Sequence, residues 1–500
     1  MNIPYYLEMY SRKTPESTFL KTETSEYTFR EMNDQANRLA SSLARLGIKK
    51  GDKVILLLKN GYEFAVSYFA VLKLGAVVIP TNVKLTANEV KVIFDDSGAK
   101  AIIVEEERKE DVNDFGDCIY ICAGEGNKTC LSLDELIAQG QQVPFESRFT
   151  EDDISTILYT SGTTGKPKGV VFQNRSILSV AHMICIEMKM TEFSKTLLMM
   201  PLSHSAPLHL FFISTLMVGA TAVTRKEFHP LEMLKAIETE KITHFFGAPV
   251  AYLLAAKILE QQKFDLSSME WFVYGGAPIG ANEVRYIQKV FETDRLTGVY
   301  GLTEAGPSGS LLFPEEHDKK AGSVGRRASL FTELKIVDEK GDEVGPNEIG
   351  EVVLRGLGMM KEYYNNPEAT EKAFIDGWLR TGDLGRYDED GYIWIVDRVK
   401  DIIISGGVNI YPFEVEQELM KYEPIQDVAV VGVPHPEWGE TVKAFYVSDA
   451  PIDEADVKAF LSTRLAAHKI PRMYEKIDAI PRNATGKILK HQLRKEYELK

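Results

Sequence analysis

The segment from Tyr159 to Gly169 concentrates side chains suited to binding an anion. It reads Tyr-Thr-Ser-Gly-Thr-Thr-Gly-Lys-Pro-Lys-Gly and follows Ile154 to Leu158, for which the apolar run predicts a strand. Glycines allow backbone conformations closed to other residues, hydroxyls donate hydrogen bonds, and lysines carry positive charge. The mixture predicts a loop that wraps the phosphates of a nucleoside triphosphate. The candidate contact residues are Thr160, Ser161, Gly162, Thr163, Thr164, Gly165, Lys166 and Lys168.

This loop differs from the Walker A loop of P-loop nucleotidases. A Walker A loop needs Gly-x4-Gly-Lys-Ser/Thr, whereas Lys166 is followed by Pro167 and Gly162 stands only three residues before Gly165. A P-loop ATPase or GTPase is therefore disfavoured. The alternative of a solvated turn is disfavoured by the concentration of hydrogen-bond donors.

Further motifs follow the loop along the chain. They are Pro201-Leu-Ser-His204, Gly275-Gly-Ala-Pro278, Tyr300-Gly-Leu-Thr-Glu304, Gly322-Ser-Val-Gly325, Gly377-Trp-Leu-Arg-Thr-Gly-Asp383, Asp397-Arg-Val-Lys-Asp401, Ser405-Gly-Gly-Val-Asn-Ile-Tyr-Pro412 and Pro481-Arg-Asn-Ala-Thr-Gly-Lys487. In this order the series resembles the adenylate-forming superfamily, which includes acyl-CoA synthetases, adenylation domains of peptide synthetases and luciferases. The resemblance extends from the phosphate loop almost to the C-terminus.

The resemblance implies a role for each polar residue of the nucleotide site. Displacing pyrophosphate at the α-phosphorus of ATP requires two anions to be held together while charge moves. The resemblance implies that Glu304 helps hold Mg²⁺ and that Thr303 contacts the α-phosphate region. It also implies that Asp383 accepts hydrogen bonds from the ribose, assisted by Arg398. Carboxylate oxygens suit both tasks. The remaining implied contacts are Gly276, Ala277 and Pro278 at the adenine, with Tyr300 and Gly301 beside them.

Two further residues resemble catalytic positions of the superfamily. Lys487 lies in a loop of Pro, Asn, Thr and Gly, where one positive charge would lower the repulsion between the α-phosphate and the acyl carboxylate. Most lysines are solvated surface charges, so the surrounding motif alone singles this one out. The superfamily places the residue matching His204 against the acyl group and the reacting phosphate.

The segment from Asp397 to Asp401 resembles the hinge on which the superfamily swivels its small domain. Lys400 falls at the hinge position, although the segment alone would be a plain linker. One orientation would bring Lys487 to ATP, and the other would form a tunnel for the pantetheine arm of CoA. The tunnel candidates are Ser405, Gly406, Gly407 and Asn409, with Val408 where a Glu is often found.

The predicted acyl pocket is apolar and partly small, which suits an aliphatic chain or an aromatic ring. Its candidates are His204, Leu208, Phe246, Gly247, Gly301 and Pro307. Adenylation domains of peptide synthetases normally carry an acidic residue a few positions beyond the segment that resembles Pro201 to His204, to bind the ammonium group of the amino acid. Residues 205–212 contain no acid, so the resemblance disfavours amino acids. We expect a medium- or long-chain fatty acid and free CoA as cosubstrates of ATP. An aryl or cinnamate-type acid:CoA ligase, a fatty acyl-AMP ligase that loads a carrier protein, and a catalytically silent adenylate binder are the alternatives.

The hydrophobic pattern predicts an α/β fold. A helix over 29–46 and a strand-helix-strand unit over 54–80 begin a large N-terminal domain of layered sheets, and short alternating segments after residue 325 predict a small β subdomain. We place the adenylation domain at 1–397 and a mobile α+β domain at 398–500. The smaller domain includes a predicted helix near 454–468.

Composition narrows the class further. A 500-residue chain with 44% hydrophobic and 26% charged residues has the balance of a folded globular protein. Its formal charge of −15 disfavours a nucleic acid partner. Four cysteines lack zinc-site spacing, and no apolar stretch is long enough for stable membrane insertion. We expect a cytoplasmic protein with reduced thiols, with a homodimer as an open alternative.

Overall fold

The structure is a computed structural model, and it describes residues 2–127, 129–142, 149–160, 167–482 and 488–498. Within these ranges the strands are β1 (Thr18–Lys21), β2 (Glu26–Thr28), β3 (Lys53–Leu57), β4 (Val77–Pro80), β5 (Ala101–Glu105), β6 (Ile119–Ala123), β7 (Leu131–Ser132), β8 (Ile154–Thr160), β9 (Lys168–Gln173), β10 (Lys195–Leu198), β11 (Thr221–Thr224), β12 (His244–Gly247), β13 (Trp271–Gly275), β14 (Leu296–Tyr300), β15 (Ser310–Leu312), β16 (Thr332–Val337), β17 (Gly350–Gly356), β18 (Glu362–Tyr363), β19 (Phe374–Ile375), β20 (Trp378–Tyr387), β21 (Ile393–Arg398), β22 (Ile403–Ser405), β23 (Val408–Ile410), β24 (Asp427–His435), β25 (Gly439–Val447) and β26 (Met473–Lys476). The α-helices are α1 (Ile3–Lys13), α2 (Phe29–Arg45), α3 (Tyr62–Lys73), α4 (Ala87–Ser97), α5 (Leu133–Gln139), α6 (Asn174–Glu187), α7 (Ile213–Val218), α8 (Pro230–Glu240), α9 (Pro249–Leu259), α10 (Ala281–Val290), α11 (His317–Lys320), α12 (Pro367–Lys372), α13 (Pro412–Leu419), α14 (Glu454–Ser462) and α15 (Lys490–Glu498).

Two large sheets form the N-terminal part. Sheet 1 has the order β15-β14-β13-β12-β10-β11-β1-β2, and sheet 2 has the order β18-β9-β8-β4-β3-β5-β6-β7. The strands from β14 to β1 in sheet 1 are parallel, as are those from β8 to β7 in sheet 2. The carboxyl ends of each parallel set therefore lie along one edge of its sheet.

Helices cover both faces of the two large sheets, as is usual for parallel strands. Helices α1, α2, α3, α6 and α7 share one buried cluster with strands of both sheets. Helices α8, α9 and α10 pack on the other face of sheet 1, and α4 packs on the other face of sheet 2. Helix α2 begins with a reciprocal capping box in which Thr28 and Glu31 each accept from the other's backbone N–H. The predicted layered α/β architecture is confirmed.

Two smaller sheets complete the fold. Sheet 3 is antiparallel, with the order β16-β17-β20-β19 and β21 beside β20, and it is the predicted β subdomain. Sheet 4 has the order β23-β22-β25-β24 with β26 beside β25, and it packs with α13 and α14. A large N-terminal domain and a smaller α+β C-terminal domain are thus confirmed, while the boundary at residue 397 stays a prediction.

No helix in the described ranges is long and apolar enough to cross a membrane. All four cysteines are free.

Candidate active site

The predicted motifs meet at one edge of sheet 1. Because β10, β12, β13 and β14 are parallel and contiguous, the segments at their carboxyl ends lie side by side. The candidates placed there are His204 after β10, Phe246 and Gly247 in β12, Gly276, Ala277 and Pro278 after β13, and Tyr300, Gly301, Thr303 and Glu304 at and after β14. Motifs 100 residues apart in the chain, from His204 to Glu304, therefore lie at one edge of the sheet.

The buried carboxylate of Asp383 joins sheet 3 to this edge. Asp383 in β20 pairs directly across the sheet with Arg398 in β21, and Arg398 Nε lies 2.8 Å from Asp383 Oδ1. The Tyr300 hydroxyl donates to Asp383 Oδ2 over 2.9 Å. Burial, reinforced by the Asp383 charge, raises the pKa of Tyr300 well above its usual value, so the phenol stays a donor. A carboxylate held in this way has a fixed orientation beside the candidate nucleotide site.

The turn after β14 presents Thr303 and Glu304. The Oγ1 of Thr303 lies 3.3 Å from Ser205 Oγ, which ties the turn to the segment that follows His204. The Tyr363 hydroxyl donates to Glu304 Oε1 over 2.7 Å. Burial raises the pKa of Tyr363, and the Glu304 charge adds to that effect.

The other carboxylate oxygen of Glu304 is available to a cation. Among the residues that the structure describes, none donates a hydrogen bond to Oε2. A hard, unshared carboxylate oxygen fits Mg²⁺, which usually takes only one or two protein ligands and fills its shell with water and phosphate oxygens. In the described ranges no three His, Cys, Asp or Glu residues are grouped so that they could hold a metal. Glu304 therefore fits the role of a lone protein ligand.

His204 lies where the two large sheets approach each other. Asn82, which follows β4 of sheet 2, places its Nδ2 at 3.4 Å from His204 Nε2. Because an amide nitrogen only donates, this ring nitrogen accepts the bond. Burial lowers the pKa of His204 to about 4, so the ring is neutral at neutral pH. A neutral ring can sit beside an acyl group without pairing to its carboxylate.

The predicted acyl pocket has aromatic and aliphatic walls. Phe246 stacks on Phe211 with ring centroids 5.3 Å apart, and Leu208 is fully buried in a π-helical turn. A Cβ at Gly301 would lie 2.1 Å from the carbonyl oxygen of Pro307. Gly301 is therefore required by packing against the Pro307 turn, and its small size does not widen a cavity.

Open space lies over the candidate adenine segment. Gly276 has a φ of +80°, in the left-handed region that favours glycine, and nothing lies within 4 Å of where its Cβ would be. Gly276 and Pro278 are exposed, and Ala277 is partly buried. This geometry leaves room for the close approach of a flat ligand, so the structure is compatible with the predicted adenine contact.

The remaining candidates form two groups. Residues 161–166 and Lys487 lie outside the described residues, whereas Lys168 begins β9 with its Nζ 4.8 Å from the Tyr363 ring centroid. Ser405, Gly406, Gly407 and Asn409 lie on the β22–β23 hairpin. In the described part of the chain, no hydrogen bond of residues 403–410 reaches a residue before 397.

The predicted hinge residue lies in a short 3-10 turn between sheets 3 and 4. Although more than a third of Lys400 is exposed, packing around its amine lowers its pKa, and the Arg398 and Arg494 guanidiniums add to the effect. Its neighbour Asp401 is paired with Arg494 at 3.0 Å. The Asp401 and Asp383 carboxylates oppose this shift, so the turn lies among charges from both sides of the predicted domain boundary.

Sequence reasoning missed three residues that contact the site, Tyr363, Asn82 and Ser205. Tyr363 lies in the run Lys-Glu-Tyr-Tyr-Asn-Asn-Pro at 361–367, whose mixture of aromatic and turn-forming residues could have marked it. Asn82 is a polar residue just after a buried parallel strand, which is a common position for ligand contacts. The Ser205 contact with Thr303 depends on tertiary structure and has no local pattern.

Comparison with known proteins identifies the family. The family described as AMP-binding enzyme matches residues 7–364, and the AMP-binding enzyme C-terminal domain matches residues 414–487. The chain therefore belongs to the AMP-binding enzymes, and the predicted adenylate-forming superfamily is confirmed.

Similar proteins include named CoA ligases. A feruloyl-CoA synthase of an Amycolatopsis species is 36% identical over 97% of each chain. The long-chain-fatty-acid–CoA ligase FadD13 of Mycobacterium tuberculosis is 36% identical over 94% of this chain and 93% of its own. The o-succinylbenzoate CoA synthetase of Bacillus subtilis, solved with ATP and magnesium, superposes with a TM-score of 0.88 at 29% identity and 98% coverage of both chains.

Proposed function

We propose that the protein is an ATP- and Mg²⁺-dependent carboxylate:CoA ligase acting on a medium- or long-chain fatty acid. The carboxylate attacks the α-phosphorus of ATP to give acyl-AMP and pyrophosphate, and the CoA sulfur then displaces AMP to give acyl-CoA. The class, an AMP-forming acid–thiol ligase, follows from the family and its relatives. The identity of the acid and the roles of individual residues are the proposed part.

The observation that carries the proposal is the fixed Asp383 carboxylate of sheet 3, which pairs with Arg398 and contacts, through Tyr300, the edge of sheet 1 that carries Glu304. In our proposal Asp383 accepts hydrogen bonds from the ribose, while Thr303 and Lys168 donate to phosphate oxygens. Glu304 would hold Mg²⁺, which neutralises charge on the phosphates. Lys487 would reach the α-phosphate from the C-terminal domain.

The character of the pocket supports an acid with an apolar body and one carboxylate. Leu208, Phe246 and Pro307 offer apolar surface, and none of the six predicted pocket residues is cationic at neutral pH. A second carboxylate would therefore lack a partner among them, which would be costly in a buried site. The relative named as a long-chain-fatty-acid ligase supports the same class of acid.

A second candidate is an aryl or cinnamate-type acid. The stacked Phe211 and Phe246 rings offer a flat face suited to an aromatic substrate, and a relative is named feruloyl-CoA synthase.

A competition experiment between fatty and aromatic acids distinguishes the two candidates. Equimolar dodecanoate, hexadecanoate, cinnamate and ferulate are incubated with ATP, Mg²⁺ and CoA, and the thioesters are quantified by mass spectrometry. Fatty acyl-CoA in excess supports the proposal, and aryl-CoA in excess replaces it with the second candidate.

The Phe246→Leu variant sharpens this competition. Leucine keeps the wall apolar but removes the flat ring, so we expect the ratio of aryl-CoA to fatty acyl-CoA to fall by about 5- to 10-fold, which corresponds to the loss of one aromatic contact. Phe245→Leu is the matched control because Phe245 is buried in the core on the other face of β12. An unchanged ratio in Phe246→Leu would remove this ring from the acyl pocket.

A further inference from the structure

The segment 360–364 connects the Glu304 turn to the phosphate loop. Met360 N–H donates to the Glu304 carbonyl over 2.8 Å, and Tyr364 N–H donates to the Gly169 carbonyl over 2.7 Å. Strand β18 within the segment pairs with β9, the strand that follows the phosphate loop. The two candidate phosphate-binding parts of the site are therefore joined by one short piece of backbone.

The side chain of Tyr363 contacts both parts at once. Its hydroxyl donates to Glu304 Oε1 over 2.7 Å, and the ammonium of Lys168 lies 4.8 Å from its ring centroid. The backbone that carries the ring is held as well, because Tyr363 N–H donates to Thr370 Oγ1 over 2.9 Å. A neutral aromatic side chain thus touches both the anionic Glu304 and the cationic Lys168.

We propose that Tyr363 is a positioning residue for the Mg²⁺ and phosphate site. By occupying Oε1 it fixes the rotation of the Glu304 carboxylate and leaves Oε2 for the cation. By stacking against Lys168 it holds that ammonium on its own ring and limits direct pairing of Lys168 with Glu304, which would compete with the metal. This inference rests on the proposed function, because the roles of Glu304 and Lys168 are part of that proposal.

Three variants separate the contributions of the hydroxyl and the ring. Tyr363→Phe removes the hydrogen bond to Glu304 and keeps the ring under Lys168, whereas Tyr363→Leu removes both. Tyr364→Phe is the matched control, because the Tyr364 hydroxyl donates to the carbonyl of Ser97, 3.4 Å away. Glu304→Gln serves as the reference for loss of the metal ligand itself.

The measured quantity is the affinity for an ATP analogue, in the absence of turnover. The affinity of each protein for α,β-methylene-ATP is determined by titration calorimetry in excess Mg²⁺ and in EDTA, and the ratio of the two affinities gives the tightening due to Mg²⁺. Loss of a group that orients a metal ligand typically weakens metal binding about 10-fold or more. We expect Tyr363→Phe to reduce the tightening by about 10-fold, Tyr364→Phe to leave it unchanged, and Tyr363→Leu also to weaken binding in EDTA.

The outcomes distinguish this inference from the proposed function. If Glu304→Gln loses the tightening while both Tyr363 variants keep the wild-type ratio, the positioning role is wrong and the metal role of Glu304 stands. If Glu304→Gln keeps the full tightening, the proposed metal role itself is wrong. The ratio compares two affinities of the same folded protein, so a loss of protein stability alone does not mimic the expected result.

Discussion

The edge of sheet 1 that carries the candidate nucleotide site, called the nucleotide edge below, differs in burial from the β22–β23 hairpin. At the nucleotide edge, Asp383 is only 5% exposed and both of its carboxylate oxygens are paired. On the hairpin, Ile404 and Val408 are 53% and 45% exposed, and the described backbone bonds lead only to other C-terminal residues such as Trp438. One region is assembled within the fold, whereas the other presents its side chains to solvent.

Under the proposed function, the contrast assigns the preformed site to one of the two half-reactions. Buried polar groups persist only when they are hydrogen-bonded, so the Asp383 cluster is fixed before any ligand arrives. An exposed hairpin gains a defined environment only when another surface covers it. Under the proposed function, adenylation uses the preformed edge, and thioester formation uses the hairpin after the C-terminal domain turns about Lys400.

The largest expected effect comes from breaking the preformed cluster. Asp383→Ala leaves Arg398 and Tyr300 without their buried partner and removes the ribose acceptor, so adenylation should fall by about 100-fold or more, a loss of about 3 kcal/mol or more in transition-state binding. ATP–pyrophosphate exchange without CoA measures this step. Asp388→Ala, which removes a carboxylate from the turn between β20 and β21, is the control for lost stability. More than half of the wild-type exchange rate in Asp383→Ala would contradict the assigned role.

A smaller and more selective effect is expected on the hairpin. Asn409→Trp adds bulk at an exposed position of the predicted CoA tunnel. It should slow acyl-CoA formation by about 10-fold, by obstructing the approach of the thiol, while pyrophosphate exchange stays at the wild-type rate. Lys421→Trp, an exposed position after α13, is the control. If Asn409→Trp slowed pyrophosphate exchange as much as acyl-CoA formation, the separate roles of the two regions would be contradicted.

A further expected effect, on protein stability and not on activity, concerns the N-terminal sheets in acid. Burial lowers the pKa of His244 to about 4, so between pH 6.5 and 4 the unfolded chain binds a proton that the folded chain excludes. Stability from this residue is complete above pH 6.5 and falls as the pH drops toward 4, by about 2 kcal/mol at pH 5. Urea unfolding at pH 7 and pH 5 should show a smaller pH difference for His244→Gln than for wild type. Identical differences would show that His244 is not kept neutral by the fold.

Local patterns could predict much of the fold and less of the site. The capping box at Thr28 and the apolar runs predicted α2 and the first parallel strands within a residue or two. The helix predicted over 454–468 was wrong at its end, since α14 stops at Ser462. Beyond that end the Leu465 N–H still donates to the Leu461 carbonyl, and Leu465 is 8% exposed in the core of sheet 4. A leucine that packs from a turn has the same local spacing as one on a helix.

The candidate site, like the fold, could be predicted only in part. The residue types and order of the motifs predicted Asp383, Arg398, Thr303 and Glu304, which the structure brings to one edge. Tyr363 was missed because its contact with Glu304 depends on the pairing of β18 with β9, almost 200 residues away in the chain. Local spacing does not encode contacts of this kind.

The most direct test of the central claim follows both half-reactions in one experiment. The protein is mixed with ATP, Mg²⁺ and the preferred acid, with and without CoA, and the products are identified by mass spectrometry. We predict acyl-AMP and pyrophosphate without CoA, and acyl-CoA with AMP when CoA is present. Formation of ADP and phosphate, or acyl-AMP that accumulates unchanged in the presence of CoA, would contradict the account.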